Sequence, residues 1–118
     1  MKKTHLNIED IFNIPTAVIY NPDMFKSIYH VSIDSRNIKN NTLFIAIKGE
    51  RFNGHDFIEQ VVENGAAAIV INEKYLKKIG DYVIPVITVK DTVVALGEIA
   101  KLWRAKLKTE IIGITGSA

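Results

Sequence analysis

Apolar and polar positions along the chain fall into two alternating periods, one helical and one extended. The first segment predicts a short capped helix. Asn7 is placed to cap it, Glu9 and Asp10 fall in its positively polarised first turn, and Leu6 can staple onto Ile11 before Asn13 and Pro15 end it. Val31 and Ile33 alternate with Ser32 and Asp34, the pattern of a half-buried strand that stops at Asp34-Ser35-Arg36. Leu43-Phe44-Ile45-Ala46-Ile47 is apolar on both faces and predicts an interior strand, which runs into the loop Lys48-Gly49-Glu50-Arg51-Phe52-Asn53-Gly54. Asp56 and Glu59 open a helix to about Asn64, with Gly65 as its stop and Phe57, Ile58, Val61 and Val62 as its apolar face. Ala66 to Ile71 is the next buried strand, so strand, helix and strand make a βαβ unit with a parallel pair.

Asn72 to Ile79 predicts a weaker helix closed by Gly80. Val83 to Val89 predicts a strand whose Pro85 argues for an edge or an irregular start. A long helix is expected from Asp91 or Thr92 to about Lys108, with Val93, Leu96, Ala100, Trp103 and Leu107 as its apolar stripe. Gly97 inside that helix suggests close approach of another backbone. Ile111 to Ile114 predicts a last strand, followed by Thr115-Gly116-Ser117-Ala118. The alternation gives the fold class: α/β, a small layered domain with a mostly parallel sheet and flanking helices.

Composition changes this picture little. The 118 residues, 47% apolar and 24% charged, describe an ordinary single domain and exclude disorder and low complexity. Fifteen Lys plus Arg against thirteen Asp plus Glu leave a net charge of +2, too small to imply nucleic-acid or membrane binding by bulk electrostatics. With no Cys there is neither a disulfide framework nor a thiolate site. The absence of a signal-peptide pattern and of any apolar stretch approaching ~18 residues makes a cytoplasmic protein the expectation; a monomer is also expected.

Two strand-to-helix loops carry candidate chemistry. Asp34-Ser35-Arg36 joins a carboxylate, a hydroxyl and a planar guanidinium suited to phosphate oxygens, although on the residues alone an Asx-type turn with a solvated Arg36 is the simpler reading. Gly49 to Gly54 carries Arg51 and Phe52. In an open α/β sheet both loops fall at the carboxyl ends of strands, where ligands gather. His55 reads as a helix-start residue rather than a catalytic or metal-binding one. Gly113-Ile114-Thr115-Gly116-Ser117 resembles the approach to a phosphate-binding loop whose Gly-Lys-Ser/Thr and helix do not follow, so a truncated piece of a longer protein is expected. The residues show no nucleophile–base pair and no metal-ligand spacing.

Taken together, Asp34-Ser35-Arg36, the stretch Leu43 to Ile58 with its Gly49-Glu50-Arg51 and Gly54-His55-Asp56-Phe57-Ile58, and Gly65-Ala66-Ala67-Ala68 resemble the amino-terminal domain of the Mur ligases, ATP-dependent amide ligases of peptidoglycan precursor synthesis. Asn53 stands where the family pattern usually has Asp. The resemblance implies that residues 1–90 form the domain binding the UDP substrate. It also implies that 91–118 are a connecting helix and the first strand of a central ATP-binding domain.

Ser35 and Arg36 would contact the uridine diphosphate portion, and Glu50, Arg51 and Phe52 would line the uracil pocket, Phe52 by packing and Arg51 by hydrogen bonding. Thr115, Gly116 and Ser117 would be part of the ATP loop. The member adding D-alanyl-D-alanine to UDP-N-acetylmuramoyl-tripeptide matches better than the one adding the third amino acid, through Ala95 to Ala100, Trp103-Arg104 and Thr115-Gly116-Ser117. ATP and magnesium would serve the complete enzyme, while this piece would hold the UDP end of the substrate with no cofactor, metal or catalytic residue of its own. The alternatives are the tripeptide-forming ligase and a free-standing α/β nucleotide-binding domain.

Overall fold

The computed structural model describes residues 4–116, with side-chain surroundings described through Lys108. Five strands form one sheet in the order β1-β5-β4-β3-β2, where β1 is Val18–Tyr20, β2 His30–Ser32, β3 Thr42–Ile45, β4 Ala68–Asn72 and β5 Val86–Val89. Strands β2 to β5 run parallel, and only β1 pairs antiparallel, against β5. Three α-helices flank the sheet: α1 (Ile8–Phe12), α2 (Ile58–Glu63) and α3 (Thr92–Gly116).

Every residue of β3, and Ala68 to Ile71 of β4, is buried, as expected for parallel strands covered on both faces. Alternation sorts their side chains into two cores. Leu43, Ile45, Ala68 and Val70 pack with Leu6, Ile11, Ala95 and Ile99 on the face of α1 and α3, and Phe44, Ala46, Ile69 and Ile71 pack with Ile58 and Val61 of α2 on the other. The registers Leu43↔Ala68 and Phe44↔Ile69 keep like faces together.

Local signals account for most helix starts. Asn7 Oδ1 accepts the Asp10 N–H at 3.0 Å while Asp10 Oδ2 accepts the Asn7 N–H at 2.9 Å, a complete capping box. Asp10 also pairs with Lys106 Nζ at 3.0 Å, tying α1 to the far part of α3. Asp91 Oδ1 caps α3 by accepting the Val93 and Val94 N–H groups. The helix expected from Asp56 begins as a 3-10 turn, Gly54–Phe57, before α2.

Five expectations are corrected. The weak helix after Asn72 shrinks to the single 3-10 turn Glu73–Tyr75. Val83 is exposed and the strand starts only after Pro85, whose ring cannot donate to the ladder, so β5 is an interior strand with an irregular start. The buried face of α3 is centred on Ala95 and Ile99, with Leu96, Leu102 and Trp103 beside them, while Val93 and Leu107 point outward. Apolar residues cover so wide an arc of α3 that more than one phase fits, and small Ala95 selects the one that lies close on the sheet. Gly97 accordingly faces open space and is approached by no backbone.

Finally, Ile111 to Ile114 continue α3 instead of forming a strand. Neither sheet edge pairs with them, and a helix satisfies their backbone groups within the segment. Thr115 and Gly116 lie in the last turn of α3, and Ser117 lies outside the described residues.

The revised phase of α3 has a measurable consequence. Ile99→Ala should cost about 2–4 kcal/mol in denaturant titration, whereas exposed Val93→Ala should stay within about 0.5 kcal/mol. Equal losses at the two positions would contradict the phase.

Candidate functional site

The chain segments that follow β2 and β3 at their carboxyl ends face each other across a groove of about 670 Å³. One wall is the Ile33–Arg36 turn and the other is Phe52 with Gly54. Phe44, Ile47, Phe57 and Gln60 complete the lining.

The first wall is built by short hydrogen bonds. Ser32 Oγ accepts the Asp34 N–H and donates to the Asp34 carbonyl, each at 3.0 Å. Asp34 Oδ1 accepts both the Arg36 N–H at 2.9 Å and Arg36 Nε at 3.1 Å, and its Oδ2 accepts Nη2 at 3.1 Å. This fork aims the guanidinium while leaving its remaining donors to meet oxygens of a ligand. The Arg36 guanidinium, and then its backbone N–H, hold the Asp34 carboxyl below its ordinary value, and Arg36 is raised in return. Both groups stand at the surface, so the pair orients Arg36 rather than stabilising the fold.

The second wall is a tight reversal. Gly49 N–H donates to the Phe52 carbonyl at 2.7 Å, Gly54 N–H donates to the Ile47 carbonyl at 2.9 Å, and Lys48 bridges Asn53. Glu50 and Arg51 occupy its exposed tip, and Phe52 is 72% exposed. A Cβ at Gly54 would stand 2.9 Å from the Ile47 nitrogen and 3.0 Å from the Ala46 Cα, so only glycine lets the returning chain lie this close to the end of β3.

Behind the reversal, His55 is buried and its ring stacks on Tyr75 with centroids 3.9 Å apart. Its Nε2 faces the Asn72 N–H at 3.0 Å, which can only donate, so the ring proton resides on Nδ1 and is donated to Asn53 Oδ1 at 2.6 Å. Asn53 Nδ2 in turn donates to the Tyr75 hydroxyl at 2.9 Å. Burial pushes His55 down to about 4, with Asp56 opposing the shift and Lys74 adding to it.

Of the residues expected at a site, Ser35, Arg36 and Phe52 line one groove. Glu50 and Arg51 sit on the same loop but outside the lining, and Thr115 and Gly116 are not part of it. The apolar lining from Phe44, Ile47 and Phe57 was not singled out from the sequence, although the alternation of β3 places Phe44 on the face of α2. A second cavity of about 490 Å³ runs along the whole of edge strand β2, from Tyr29 to Ser32, against Leu96 and Trp103 of α3, and holds none of the residues expected at a site. Among the described residues no three His, Asp or Glu side chains gather as a metal site, and no helix is long and apolar enough to cross a membrane.

Residues 27–104, which contain both walls of the groove, match the family model described as Mur ligase family, catalytic domain. The chain belongs to the Mur ligase family. It is 36% identical over 118 residues to the UDP-N-acetylmuramoyl-tripeptide--D-alanyl-D-alanine ligase of Bacillus subtilis, covering 99% of this chain and 25% of that ligase. The UDP-N-acetylmuramoyl-L-alanyl-D-glutamate--2,6-diaminopimelate ligase of Aquifex aeolicus is 37% identical over 108 residues, covering 87% of this chain and 21% of that ligase. Among solved structures, MurF from Acinetobacter baumannii is similar with a TM-score of 0.68 at 27% identity, over 80% of this chain and 20% of that one. This Mur ligase chain thus spans about a quarter of the length of the B. subtilis relative.

Two predictions come from the second wall. Gly54→Ala should destabilise the fold by about 1–3 kcal/mol and displace the reversal, because backbone atoms block the new methyl; an unchanged denaturation midpoint with unmoved amides from Gly49 to Gly54 would contradict the close fit.

For His55 the folded state disfavours the charged ring, so the unfolded chain, titrating near 6.5, takes the proton first. The stability that His55 contributes should be full above about pH 6.5 and fall as pH drops towards 4. Between pH 7.5 and 4.5 the wild type should lose roughly 2–3 kcal/mol relative to His55→Phe. A difference that stays constant over that range would show that the imidazole is not held neutral.

Proposed function

We propose that this chain is the part of a D-alanyl-D-alanine-adding Mur ligase that docks the uridine diphosphate end of UDP-N-acetylmuramoyl-tripeptide. The single observation that carries the docking role is the pairing, across one groove at the carboxyl ends of β2 and β3, of an outward aromatic ring with an aimed guanidinium. A planar uracil can pack on Phe52 and the apolar lining, while diphosphate oxygens take hydrogen bonds from Ser35 and Arg36. Glu50 and Arg51 at the rim supply polar contacts to the ring edge. Residues 1–90 constitute the docking unit, and 91–118 lead towards a central ATP-binding region to which Thr115, Gly116 and Ser117 belong.

In the complete ligase, a cytoplasmic enzyme acting as a monomer, ATP and magnesium supply activation of the substrate carboxylate for attack by the D-alanyl-D-alanine amine. What the residues of the groove do is bind and orient. The diaminopimelate-adding ligase of A. aeolicus, 37% identical over 108 residues, favours the tripeptide-forming activity as the second reading.

Titration of the chain with UDP and with UDP-N-acetylmuramoyl-tripeptide should move amides around Ser35, Arg36 and Phe52, with affinity on the order of millimolar. Ser35→Ala, Arg36→Ala and Phe52→Ala should each weaken binding roughly threefold to tenfold, and no phosphate should be released from ATP. Shifts confined to residues remote from the groove would show that the ligand sits elsewhere. For the choice between ligases, phosphate release by the full-length enzyme with a diamino acid and not with D-alanyl-D-alanine would decide for the second reading.

A further inference from the structure

We propose that His55 is the positioning residue of the docking loop: with its proton on Nδ1, the imidazole pins the Lys48–Gly54 reversal, and with it Phe52, to the carboxyl end of β4. This rests on reading the groove as the uridine diphosphate site. The two nitrogens reach two different elements. Nδ1–H donates to Asn53 Oδ1, the residue following Phe52, and Nε2 accepts from the Asn72 backbone N–H at the end of β4.

The partners are themselves held from further afield. Asn53 Oδ1 also accepts the His55 N–H at 3.0 Å, and Asn53 Nδ2 donates to the Tyr75 hydroxyl. Asn72 Oδ1 accepts the Lys74 N–H and its Nδ2 donates to the Lys90 carbonyl, each at 3.0 Å, so the network reaches the end of β5. Stacking on Tyr75 fixes the plane of the ring. The Phe52 side chain itself packs on little and is mostly exposed, so its place in the groove is set by the backbone turn and by whatever holds Asn53.

Both ring nitrogens are committed in opposite senses, one donating and one accepting. A second proton on Nε2 would set donor against donor at the Asn72 N–H and release the loop from β4. The charged groups around the ring are Asp56 on its own turn, Lys74 on the Glu73–Tyr75 turn, and Lys48, Lys90 and Asp91, which share a cavity of about 270 Å³ with it. Three lysines against two aspartates leave no surplus of negative charge that would favour the doubly protonated ring. A clamp of this kind acts on the nucleotide through the loop, without touching it.

The test compares wild type, His55→Phe, His55→Gln and Ile99→Ala as 118-residue chains. His55→Phe keeps a ring for Tyr75 and removes both nitrogen bonds, His55→Gln restores an acceptor for the Asn72 N–H, and Ile99→Ala destabilises the opposite face. Without ligand, His55→Phe should shift the amides of Gly49, Phe52 and Gly54. With UDP at pH 7.5 it should bind at least fivefold more weakly, His55→Gln should recover part of that loss, and Ile99→Ala should stay within twofold of wild type despite its lower stability.

The ratio of wild-type to His55→Phe affinity, which cancels titration of the UDP phosphate, should hold nearly constant from pH 7 to about 5 and shrink towards one only as the pH falls through about 4, where the folded ring takes its second proton. Unmoved loop amides in His55→Phe, or a loss of affinity no larger than that of Ile99→Ala, would overturn the proposal. If His55→Phe does not fold, the wild-type amides of Gly49 to Gly54 must follow the imidazole titration as pH falls, and their failure to do so overturns it equally. Loop shifts in His55→Phe together with no UDP response in the wild type would remove the uridine reading of the groove while upholding the clamp on the loop.

Discussion

The doubly buried pair β3 and β4 is the constraint from which the other features follow. Their backbone N–H and C=O groups have no water to turn to and must be paired on both edges, which requires β2 on one side and β5 on the other. Their side chains are apolar on both faces, which requires two covering layers: α1 with α3, and α2. Once these are in place, the middle of the sheet is closed to any ligand. Polar side chains can meet a ligand only where strands end, and the loops after β2 and β3 are therefore the natural carriers of recognition.

The same constraint explains why the loop after β3 is so tightly built. A chain that leaves a buried strand must return across its end without a layer of side chains between, and Gly54 permits that approach to Ile47 and Ala46. The imidazole that follows is then forced into the interior, where a neutral ring with two committed nitrogens is cheaper than a charged one. Burial and hydrogen bonding thus act together: the strand end creates the pocket, the pocket keeps the ring neutral, and the neutral ring is able to join Asn53 to Asn72.

Much of this architecture was legible in the sequence. The apolar run Leu43 to Ile47, the Ala66 to Ile71 run and the helix between them identify a parallel βαβ unit because a continuous apolar strand can be stable only in a covered sheet. The capping of α1 was legible for a different reason, since the partners sit three residues apart. By contrast, β1 offered no alternating pattern. It is three residues long and is flanked by Thr16 and Asn21, both at positive φ, so its pairing is decided by what β5 needs at its open edge. The phase of α3 was misread because Val93 and Leu107 extend its apolar surface beyond the buried arc, and Ile111 to Ile114 were misread because β-branched residues suit a strand only when an edge receives them.

At the candidate site, Ser35, Arg36 and Phe52 were expected from the resemblance of their motifs to those of the Mur ligases, while the residues alone offered only two loops beyond strand ends. The role of His55 could not be expected from either, because its two partners come from a residue before it and from a backbone N–H seventeen residues later. Only the folded chain brings them together. If the groove is the docking site we propose, that difference bears on how such a unit would serve a ligase. Substrate contacts remote from the reacting group accelerate a reaction only if they are rigid enough for their binding energy to orient the distant carboxylate. An exposed aromatic ring on a loop meets that condition only if the loop itself is fastened, and under our proposal the imidazole behind it adds to the backbone bonds of the reversal the one link that ties it to the end of β4.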